Sequence, residues 1–358
     1  MSSRGKKKKS QKRQWLVPAL SELYKIHIQR EEELAERISD KTTIYLDTNH
    51  WVHMKSVVLG RQSAKPEYRE ILELLEELVA DGIAICPVSS HMFEELMLQT
   101  DSMTRTQTAR LMDRLSQKLC LQFILKLATR EWLHNVWHIV NDSPPKTTFP
   151  IWTTAGFWAG QVGALKDADI WSESSLSHIV AWFEMMWDIG FEGYQELPGY
   201  EETPRSLNEK FLTSMNTPEA REKASGCTFE QLTREEKRKL LSSLKTEFLS
   251  EPLPKTNVVP DRIFTTFVDD HDPRIIPPFH ILACLIAAVL KSNRKITKSD
   301  PMDFCHAASG IPYCDAYLCD RKMALFLNGK PLEFSKIYNT RILSGADDII
   351  DYLKSIRQ

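Results

Sequence analysis

Acidic side chains that can bind metal ions recur in one short stretch of the chain. Residues 299–323 read SDPMDFCHAASGIPYCDAYLCDRKM and contain four aspartates: Asp300, Asp303, Asp315 and Asp320. Asp300 and Pro301 are typical of a helix start, which puts Asp303 in the first turn. The apolar residues 316–319 predict a buried strand that ends at Asp320. An acid at the start of a helix and an acid at the tip of the next strand can point at one spot, as in a metal site.

The same acids also have a purely structural interpretation. Asp300 and Asp303 can act as a capping pair that satisfies free amide groups at the helix start. Asp320 can be a turn acid beside its cationic neighbours Arg321 and Lys322. The stretch by itself slightly favours this interpretation, so the decision depends on acids elsewhere in the chain.

Acids also follow two predicted strands in the first third of the chain. Residues 42–46 (TTIYL) are β-branched and aromatic, and they predict a central strand with Asp47 at its tip. A second strand is predicted at 83–88, followed by a helix that carries Glu94 and Glu95. Strands that alternate with helices predict an α/β fold, in which parallel strands bind ligands at their carboxyl ends.

Convergence of these acids would define a chemistry. Three or more carboxylates within a few ångströms repel each other unless they are protonated or hold cations. Oxygen ligands with little sulfur or imidazole favour Mg²⁺ or Mn²⁺. Divalent ions in such a site are suited to phosphodiester hydrolysis, because one generates the attacking hydroxide and another stabilises the leaving oxygen. The acids that would have to meet are Asp47, Asp303, Asp320 and either Glu94 or Glu95.

The order of these motifs resembles that of the PIN-domain nucleases. Four segments carry the resemblance: YLDTN at 45–49, PVSSHMFEEL at 87–96, DPMDFCHAA at 300–308 and PYCDAYLCDRK at 312–322. With the elements between them, they cover residues 41–128 and 279–342. The resemblance implies a three-layer α/β/α, Rossmann-like parallel sheet with a large, mostly helical insertion.

The resemblance also implies roles for individual residues. It makes four acids the catalytic ligands of Mg²⁺ or Mn²⁺: Asp47, Glu95, Asp303 and Asp320. Glu94 stays an alternative, since Glu95 has the expected distance from the strand whereas Glu94 follows His91 by three residues. The supporting positions are Thr48, Asn49, Asp300, His306 and Asp315. Of these, His306 is expected to orient or to pack rather than to do chemistry.

The implied activity is metal-dependent hydrolysis of RNA that leaves a 5′-phosphate and a 3′-hydroxyl. Five cations are candidates to hold the phosphate chain: Lys291, Arg294, Lys295, Arg321 and Lys322. An alternative is a catalytically inactive scaffold that binds RNA or protein, because Leu318 and Cys319 stand where many family members carry Thr or Ser. A phosphatase with Asp47 as nucleophile is less favoured, since DTN lacks a second Asp two residues on.

Composition restricts the class of protein. The 358 residues carry a formal net charge of −2, with 42% hydrophobic and 26% charged residues, which is typical of a soluble globular protein. Seven cysteines, an odd number without zinc-knuckle spacing, indicate reduced thiols and a cytoplasmic protein. The most apolar run, residues 279–290, is too short to span a membrane, so no membrane partner is expected.

The chain divides into four predicted regions. A basic, disordered tail at 1–19 precedes the first half of the PIN-like domain at 20–128. Residues 129–278 are a helical insertion rich in tryptophan, through which a protein partner or a second copy of the chain could bind. The second half of the domain follows at 279–358 and ends in a helix predicted at 346–356.

Three further segments have predicted structures. Hydrophobic periodicity predicts one helix from about residue 104 to about residue 128. The sequence TREE at 233–236 is a capping box that should open a helix toward residue 249. Residues 330–342 predict an edge strand and a loop.

Overall fold

The structure is a computed structural model that describes residues 23, 25–141, 151–157, 176–195, 216–248, 265, 267–269, 272–292 and 294–357. The predicted basic tail at 1–19 lies outside the described residues, as does much of the predicted insertion, including Trp158 and Trp171. None of the described helices is both long enough and apolar enough to cross a membrane.

Helices make up most of the described chain. In chain order they are α1 (25–38), α2 (Thr48–Val58), α3 (Glu67–Ala80), α4 (Ser90–Met97), α5 (Ser102–Ser116), α6 (Ile124–Asn141), α7 (Leu176–Asp188), α8 (Phe191–Tyr194), α9 (Pro218–Ser225), α10 (Phe229–Phe248), α11 (Pro277–Lys291), α12 (Asp300–Gly310), α13 (Arg321–Asn328), α14 (Phe334–Tyr338) and α15 (Ala346–Ile356). The strands are β1 (Thr42–Leu46), β2 (Ala84–Ile85), β3 (Leu119–Leu121), β4 (Trp152–Thr154), β5 (Ala316–Leu318) and β6 (Arg341–Leu343).

Four parallel strands form the main sheet, in the order β2-β1-β5-β6. The register places Leu46 of β1 beside Leu318 of β5, and Leu318 beside Leu343 of β6. Because parallel strands end at the same edge of a sheet, the residues that follow β1 and β5 lie side by side. The predicted mixed α/β fold with a parallel sheet is confirmed.

Side chains on both faces of β1 are buried. Ile44 and Leu46 belong to one hydrophobic cluster, with side chains of α2, α3 and α15. Tyr45 points to the opposite face, and it belongs to a second cluster with side chains of α11, α12 and α13. Residues 44–46 are therefore all apolar, because neither face of the strand meets water there.

The single helix predicted from about 104 to about 128 is wrong, because a strand interrupts the segment. Helix α5 ends at Ser116, and Gln117 and Lys118 both have positive φ angles, 49° and 66°. β3 then pairs antiparallel with β4. A short apolar run fits a buried helix or a strand equally well, and here the pairing with β4 decides for the strand.

Two other predicted strands are shorter than expected. The strand predicted at 83–88 is reduced to β2, which ends before Pro87, a residue without an N–H to donate to a neighbouring strand. The segment 330–342 contains the short helix α14 before β6 begins. β6 lies at one edge of the main sheet.

Helix α10 begins before the predicted capping box. The reciprocal pair is Thr228 and Gln231: the Gln231 amide donates to Thr228 Oγ1 at 3.2 Å, and the Thr228 amide donates to Gln231 Oε1 at 2.7 Å. Thr233 lies inside the helix, where its hydroxyl donates to the Phe229 carbonyl. α10 packs against α11. The predicted boundary between the first half of the domain and the insertion, at residue 128, lies inside α6.

Candidate functional site

Two aspartates lie at the carboxyl ends of neighbouring strands. The Asp47 amide, directly after β1, donates to the Leu318 carbonyl of β5 at 3.0 Å, and Asp320 follows β5 by two residues. Asp47 Oδ1 caps α2 by accepting from two backbone amides, at 3.0 and 3.4 Å. Asp320 Oδ1 caps α13 through the Met323 amide at 2.9 Å. Since adjacent strands lie ~4.8 Å apart, the two acids are neighbours.

The Asp47 and Asp303 carboxyls share one electrostatic environment. The pKa of Asp303, in the first turn of α12, is raised to about 6, chiefly by burial. The imidazole of His306 opposes this shift, and the charges of Glu95 and Asp47 add to it. Burial likewise raises the pKa of Asp47 to about 6, against the attraction of His306 and with a contribution from Asp320. Acids that are distant in the sequence therefore lie within electrostatic range of one another, and we call the group of Asp47, Glu95, Asp303 and Asp320 the carboxylate pocket.

A hydrogen-bond network holds Glu95 at the pocket. Glu95 Oε2 lies 2.9 Å from His306 Nε2 and also accepts from the Thr48 hydroxyl. His306 Nδ1 lies 2.7 Å from the Tyr45 hydroxyl, which is 2.6 Å from Ser89 Oγ. Because an ionised carboxylate only accepts, the proton of a neutral His306 sits on Nε2, and Nδ1 accepts from Tyr45.

The two adjacent glutamates of α4 have different partners. Glu94 Oε2 lies 3.7 Å from His91 Nδ1, whereas Glu95 contributes charge to Asp303. Although burial opposes it, hydrogen bonds from His306 and Thr48 lower the pKa of Glu95. Glu95 is therefore the glutamate of the pocket, and it is ionised at a pH where Asp47 and Asp303 still hold protons.

The donor set of the pocket suits a hydrated divalent ion. Within the described residues, no group of three or more His, Cys, Asp or Glu side chains is arranged to hold a metal ion. The Asp303 carboxylate and Asp47 Oδ2 nevertheless accept no hydrogen bond from a described residue, which leaves them available to a ligand. Mg²⁺ retains several waters and commonly uses only one or two protein carboxylates. The residues thus fit a water-coordinated Mg²⁺ or Mn²⁺ better than an ion enclosed by protein ligands.

Of the predicted supporting acids, Asp315 lies away from the pocket, whereas the charge of Asp300 contributes to the raised pKa of Asp303. Asp315 precedes β5, at the opposite edge of the sheet from Asp320, and its Oδ2 accepts from the Thr43 amide (2.8 Å) and hydroxyl (2.9 Å). A strand rises ~3.3 Å per residue, so the two acids are roughly 16 Å apart. The prediction that Asp315 supports the metal site is therefore wrong. Its side chain instead fixes the register of β1 against β5. Asp300 is buried and forms an ion pair with Arg294 at 2.7 Å, so it stabilises the start of α12.

The other predicted supporting residues border the pocket. Thr48 and His306 both contact Glu95, as described above. Asn49 is exposed, and it contributes its backbone amide to Asp47. The two side chains that touch Glu95 therefore have a clear positioning function, while that of Asn49 faces solvent.

The five predicted phosphate-binding cations divide into two groups. Lys291 donates to a backbone carbonyl of the α9–α10 loop at 2.6 Å, and Arg294 is held by Asp300. The remaining three are exposed: Lys295, Arg321 and Lys322. Arg321 and Lys322 lie in the first turn of α13, directly after Asp320, which makes them the best placed of the five.

A group of side chains that was not predicted from the sequence lies next to the pocket. We call it the α2–α3 cluster, and its members are His50, His53, Lys65 and Tyr68. His50 and His53 lie one turn apart on α2, and their spacing in HWVH was the available signal. Burial lowers the pKa of His50 to about 4 despite the charge of Asp320, so this imidazole is neutral at pH 7.

Comparisons of the chain with protein-family models, with curated proteins and with solved structures each found no match. The function is therefore inferred from the carboxylate pocket, its surroundings and the order of the sequence motifs.

Proposed function

We propose that this protein is a divalent-metal-dependent nuclease that hydrolyses RNA to products with 5′-phosphate and 3′-hydroxyl ends. The observation that carries the proposal is the pair Asp47 and Asp303, whose pKa values are both raised to about 6. Acids that repel each other in a partly buried pocket are stabilised by a bound cation. The PIN-like order of the four motifs supports the same activity.

A PIN-like, three-layer α/β/α arrangement belongs to the same proposal. It is supported by the four parallel strands and by the separate hydrophobic clusters that receive Ile44 and Tyr45 from successive positions of β1. A protein partner or homodimer bound through residues 129–278 stays a prediction. So does a cytoplasmic location.

Each acid has its own task in the proposed reaction. Asp47, Asp303 and Asp320 would hold Mg²⁺ or Mn²⁺, which when bound supplies positive charge that activates water and neutralises the phosphate. Glu95 is kept ionised by His306 and the rest of its hydrogen-bond network. Its second oxygen, Oε1, accepts no hydrogen bond from a described residue. Oε1 can therefore orient the attacking water and accept its proton.

Choice of RNA as substrate follows from the resemblance and from exposed cations beside the pocket. Arg321 and Lys322 lie at the amino end of α13, where the helix dipole also favours an anion. A phosphate chain that crosses the carboxyl edge of the sheet would contact both side chains. These contacts would place a phosphodiester against the acids without reading its sequence.

Substitution of the pocket acids tests the proposed activity. Asp47→Asn, Asp303→Asn and Asp320→Asn should each abolish Mg²⁺- or Mn²⁺-dependent cleavage of an RNA oligonucleotide. The fold should persist, since Asn can cap a helix in place of Asp47 or Asp320. The Asp303 carboxylate accepts no hydrogen bond from a described residue, so its replacement removes none. Asp315→Asn is the matched control, because Asp315 lies at the far edge of the sheet, and it should retain cleavage. Undiminished cleavage by all three pocket variants would reject the nuclease assignment.

A catalytically inactive scaffold that binds RNA or protein is the second candidate. The observation that favours it is the lack, among the described residues, of three side chains arranged to hold an ion. Calorimetric titration with Mn²⁺ separates the two candidates. Retained RNA binding without Mn²⁺ binding or cleavage would establish the scaffold, whereas Mn²⁺ binding that is lost in Asp303→Asn supports the nuclease.

A further inference from the structure

The α2–α3 cluster combines two imidazoles, a phenol and an ammonium group in continuous contact. Lys65 Nζ lies 3.2 Å from His53 Nε2 and 5.8 Å from the centre of the Tyr68 ring. The His53 and Tyr68 rings are 4.5 Å apart, centre to centre. The Tyr68 hydroxyl lies 3.2 Å from His50 Nδ1. The four side chains therefore form one contiguous group rather than separate contacts.

The cluster begins at the carboxylate pocket and leads away from it. His50 lies in the first turn of α2, the helix that Asp47 caps, and it experiences the charge of Asp320. Burial raises the pKa of Tyr68 to about 12, and the charge of Asp47 contributes to the shift. His53 lies one helical turn beyond His50, a further ~4.5 Å along the axis.

The solvent exposure of the four side chains increases with distance from the pocket. His50 is buried, His53 and Tyr68 are half-buried, and Lys65 is exposed. The inner end is thus fixed by packing between α2 and α3, while the donors at the outer end meet solvent. This is the arrangement of a preformed surface that can receive a ligand without reorganising.

The charge of Lys65 is not neutralised by the described part of the chain. No described carboxylate lies within 4.0 Å of its ammonium group, which instead donates to the His53 ring. Two exposed lysines elsewhere do have acidic partners: Lys336 lies against Glu333, and Lys354 lies 2.7 Å from Glu70. Because His53 Nε2 accepts from Lys65, the proton of a neutral His53 lies on Nδ1, which is left as a donor. An ammonium group without a carboxylate partner, beside an imidazole N–H, can bind a phosphate group.

We propose that Lys65 and His53 form a subsite for a phosphate of the substrate strand, next to the phosphate that is cleaved. The inference rests on the proposed nuclease function and names its second contact with the strand. Tyr68 orients both donors through its ring, and His50 links the subsite to the pocket. In a duplex, phosphates of one strand repeat every ~3.4 Å along the axis, so a strand lying over the acids reaches His53 within a few nucleotides.

RNA binding by a catalytically inactive variant tests the subsite separately from catalysis. The full-length chain with Asp303→Asn serves as parent, and a short fluorescein-labelled oligouridylate is the probe, titrated by fluorescence anisotropy over a range of salt concentrations. Lys65→Met keeps the hydrocarbon stem over Tyr68 and removes the charge. Lys336→Met is the matched control, because Lys336 lies in α14, before β6, away from the carboxyl edge of the sheet.

The expected result is a specific loss of one phosphate contact. Lys65→Met should weaken binding severalfold at low salt, and it should reduce the slope of log K against log salt by about 0.7, the value for one single-strand phosphate. His53→Phe, which keeps the ring contact with Tyr68, should also weaken binding, while Lys336→Met should match the parent. Unfolding midpoints measured on each variant show whether a loss of binding reflects loss of fold.

The possible results distinguish a failure of the subsite from a failure of the nuclease assignment. If Lys65→Met binds with the affinity and salt slope of its parent, or if the parent binds no oligouridylate, the subsite is wrong, whatever the wild-type protein cleaves. If the Lys65 effect is present but the wild-type protein cleaves no RNA in Mg²⁺ or Mn²⁺, the subsite stands and the proposed catalysis fails.

Discussion

Glu95 and His306, which are 211 residues apart in the chain, are joined by a contact of 2.9 Å between Oε2 and Nε2. The contact ties α4 to α12, the two helices that carry pocket acids. Thr48 of α2 donates to the same oxygen, so a third helix fixes the orientation of this carboxylate. The Glu95 carboxylate is consequently oriented and kept ionised by hydrogen-bond partners. The Asp303 carboxylate has no hydrogen-bond partner within the described chain.

The different partners of the two glutamates of α4 predict different consequences of substitution. Glu95→Gln should lower the rate constant for cleavage by about 10²-fold or more, the usual contribution of a positioned general base. Glu94→Gln should change it by no more than a few-fold, because Glu94 lies against His91. Single-turnover cleavage by the two variants makes the comparison. A larger loss in Glu94→Gln would contradict the assignment of Glu95.

Removal of a pocket charge should stabilise the fold. The folded-state pKa of Asp47, about 6, lies above its ordinary value of 3.8. The folded protein therefore binds more protons than the unfolded chain, and its free energy of unfolding falls as pH rises from about 4 to about 6. Asp47→Asn avoids this loss while keeping an acceptor that can cap α2.

The expected gain is on the order of 1–3 kcal/mol at neutral pH, from about 1.4 kcal/mol for each pKa unit. Thermal unfolding without divalent metal measures it. The variant should have the higher melting temperature at pH 7.5, and the difference should vanish near pH 4. A variant that melts below the wild-type protein at pH 7.5 would show that the Asp47 charge stabilises the fold.

Metal affinity and the rate of cleavage should both decrease over the same range of acidic pH. Asp47 and Asp303 are both protonated below about pH 6, and a protonated carboxyl is a poor ligand. Mn²⁺ affinity should therefore fall as pH drops from 7 to 5. Calorimetric titrations at several pH values measure it, and an affinity independent of pH over this range would exclude these acids as ligands.

Glu31 should be essential for the attachment of α1. Its side chain is fully buried and lies 2.8 Å from the Arg130 guanidinium of α6. Burial opposes ionisation, yet His27, whose Nε2 lies 2.9 Å from Glu31 Oε1, and the nearby cations lower the pKa of Glu31 to about 2. Because its folded-state pKa is depressed, its stabilisation is present above about pH 4.5 and is lost as pH falls toward 2.

Glu31→Gln should therefore reduce the free energy of unfolding by roughly 3 kcal/mol at pH 7, the usual cost of breaking a buried ion pair. Glu36→Gln, on the exposed face of the same helix, is the control and should change it by less than about 0.5 kcal/mol. Denaturant unfolding at pH 7 measures both. Equal stability of the two variants would mean that the buried pair contributes nothing.

Several local features were predictable from sequence because they depend on neighbours in the chain. The bounds of β1 and α15 match the predicted residues 42–46 and 346–356. A β-branched, aromatic run and a helical repeat of apolar residues specify these elements locally. The capping box shows the limit of such reasoning: TREE has the right residues, but Thr228 and Gln231 make the reciprocal bonds.

Local sequence is enough to place acids after β1 and β5 and at the start of α12, since a strand end and a helix start depend on neighbouring residues. Which of these acids become neighbours depends on packing between distant segments. Asp315 and Asp320 are five residues apart in sequence, yet they lie at opposite edges of the sheet because a strand is extended. Glu95 and His306, far apart in sequence, touch because packing brings α4 and α12 together. The pairing of Lys65 with His53 arises in the same way, from two segments whose proximity no local pattern specifies.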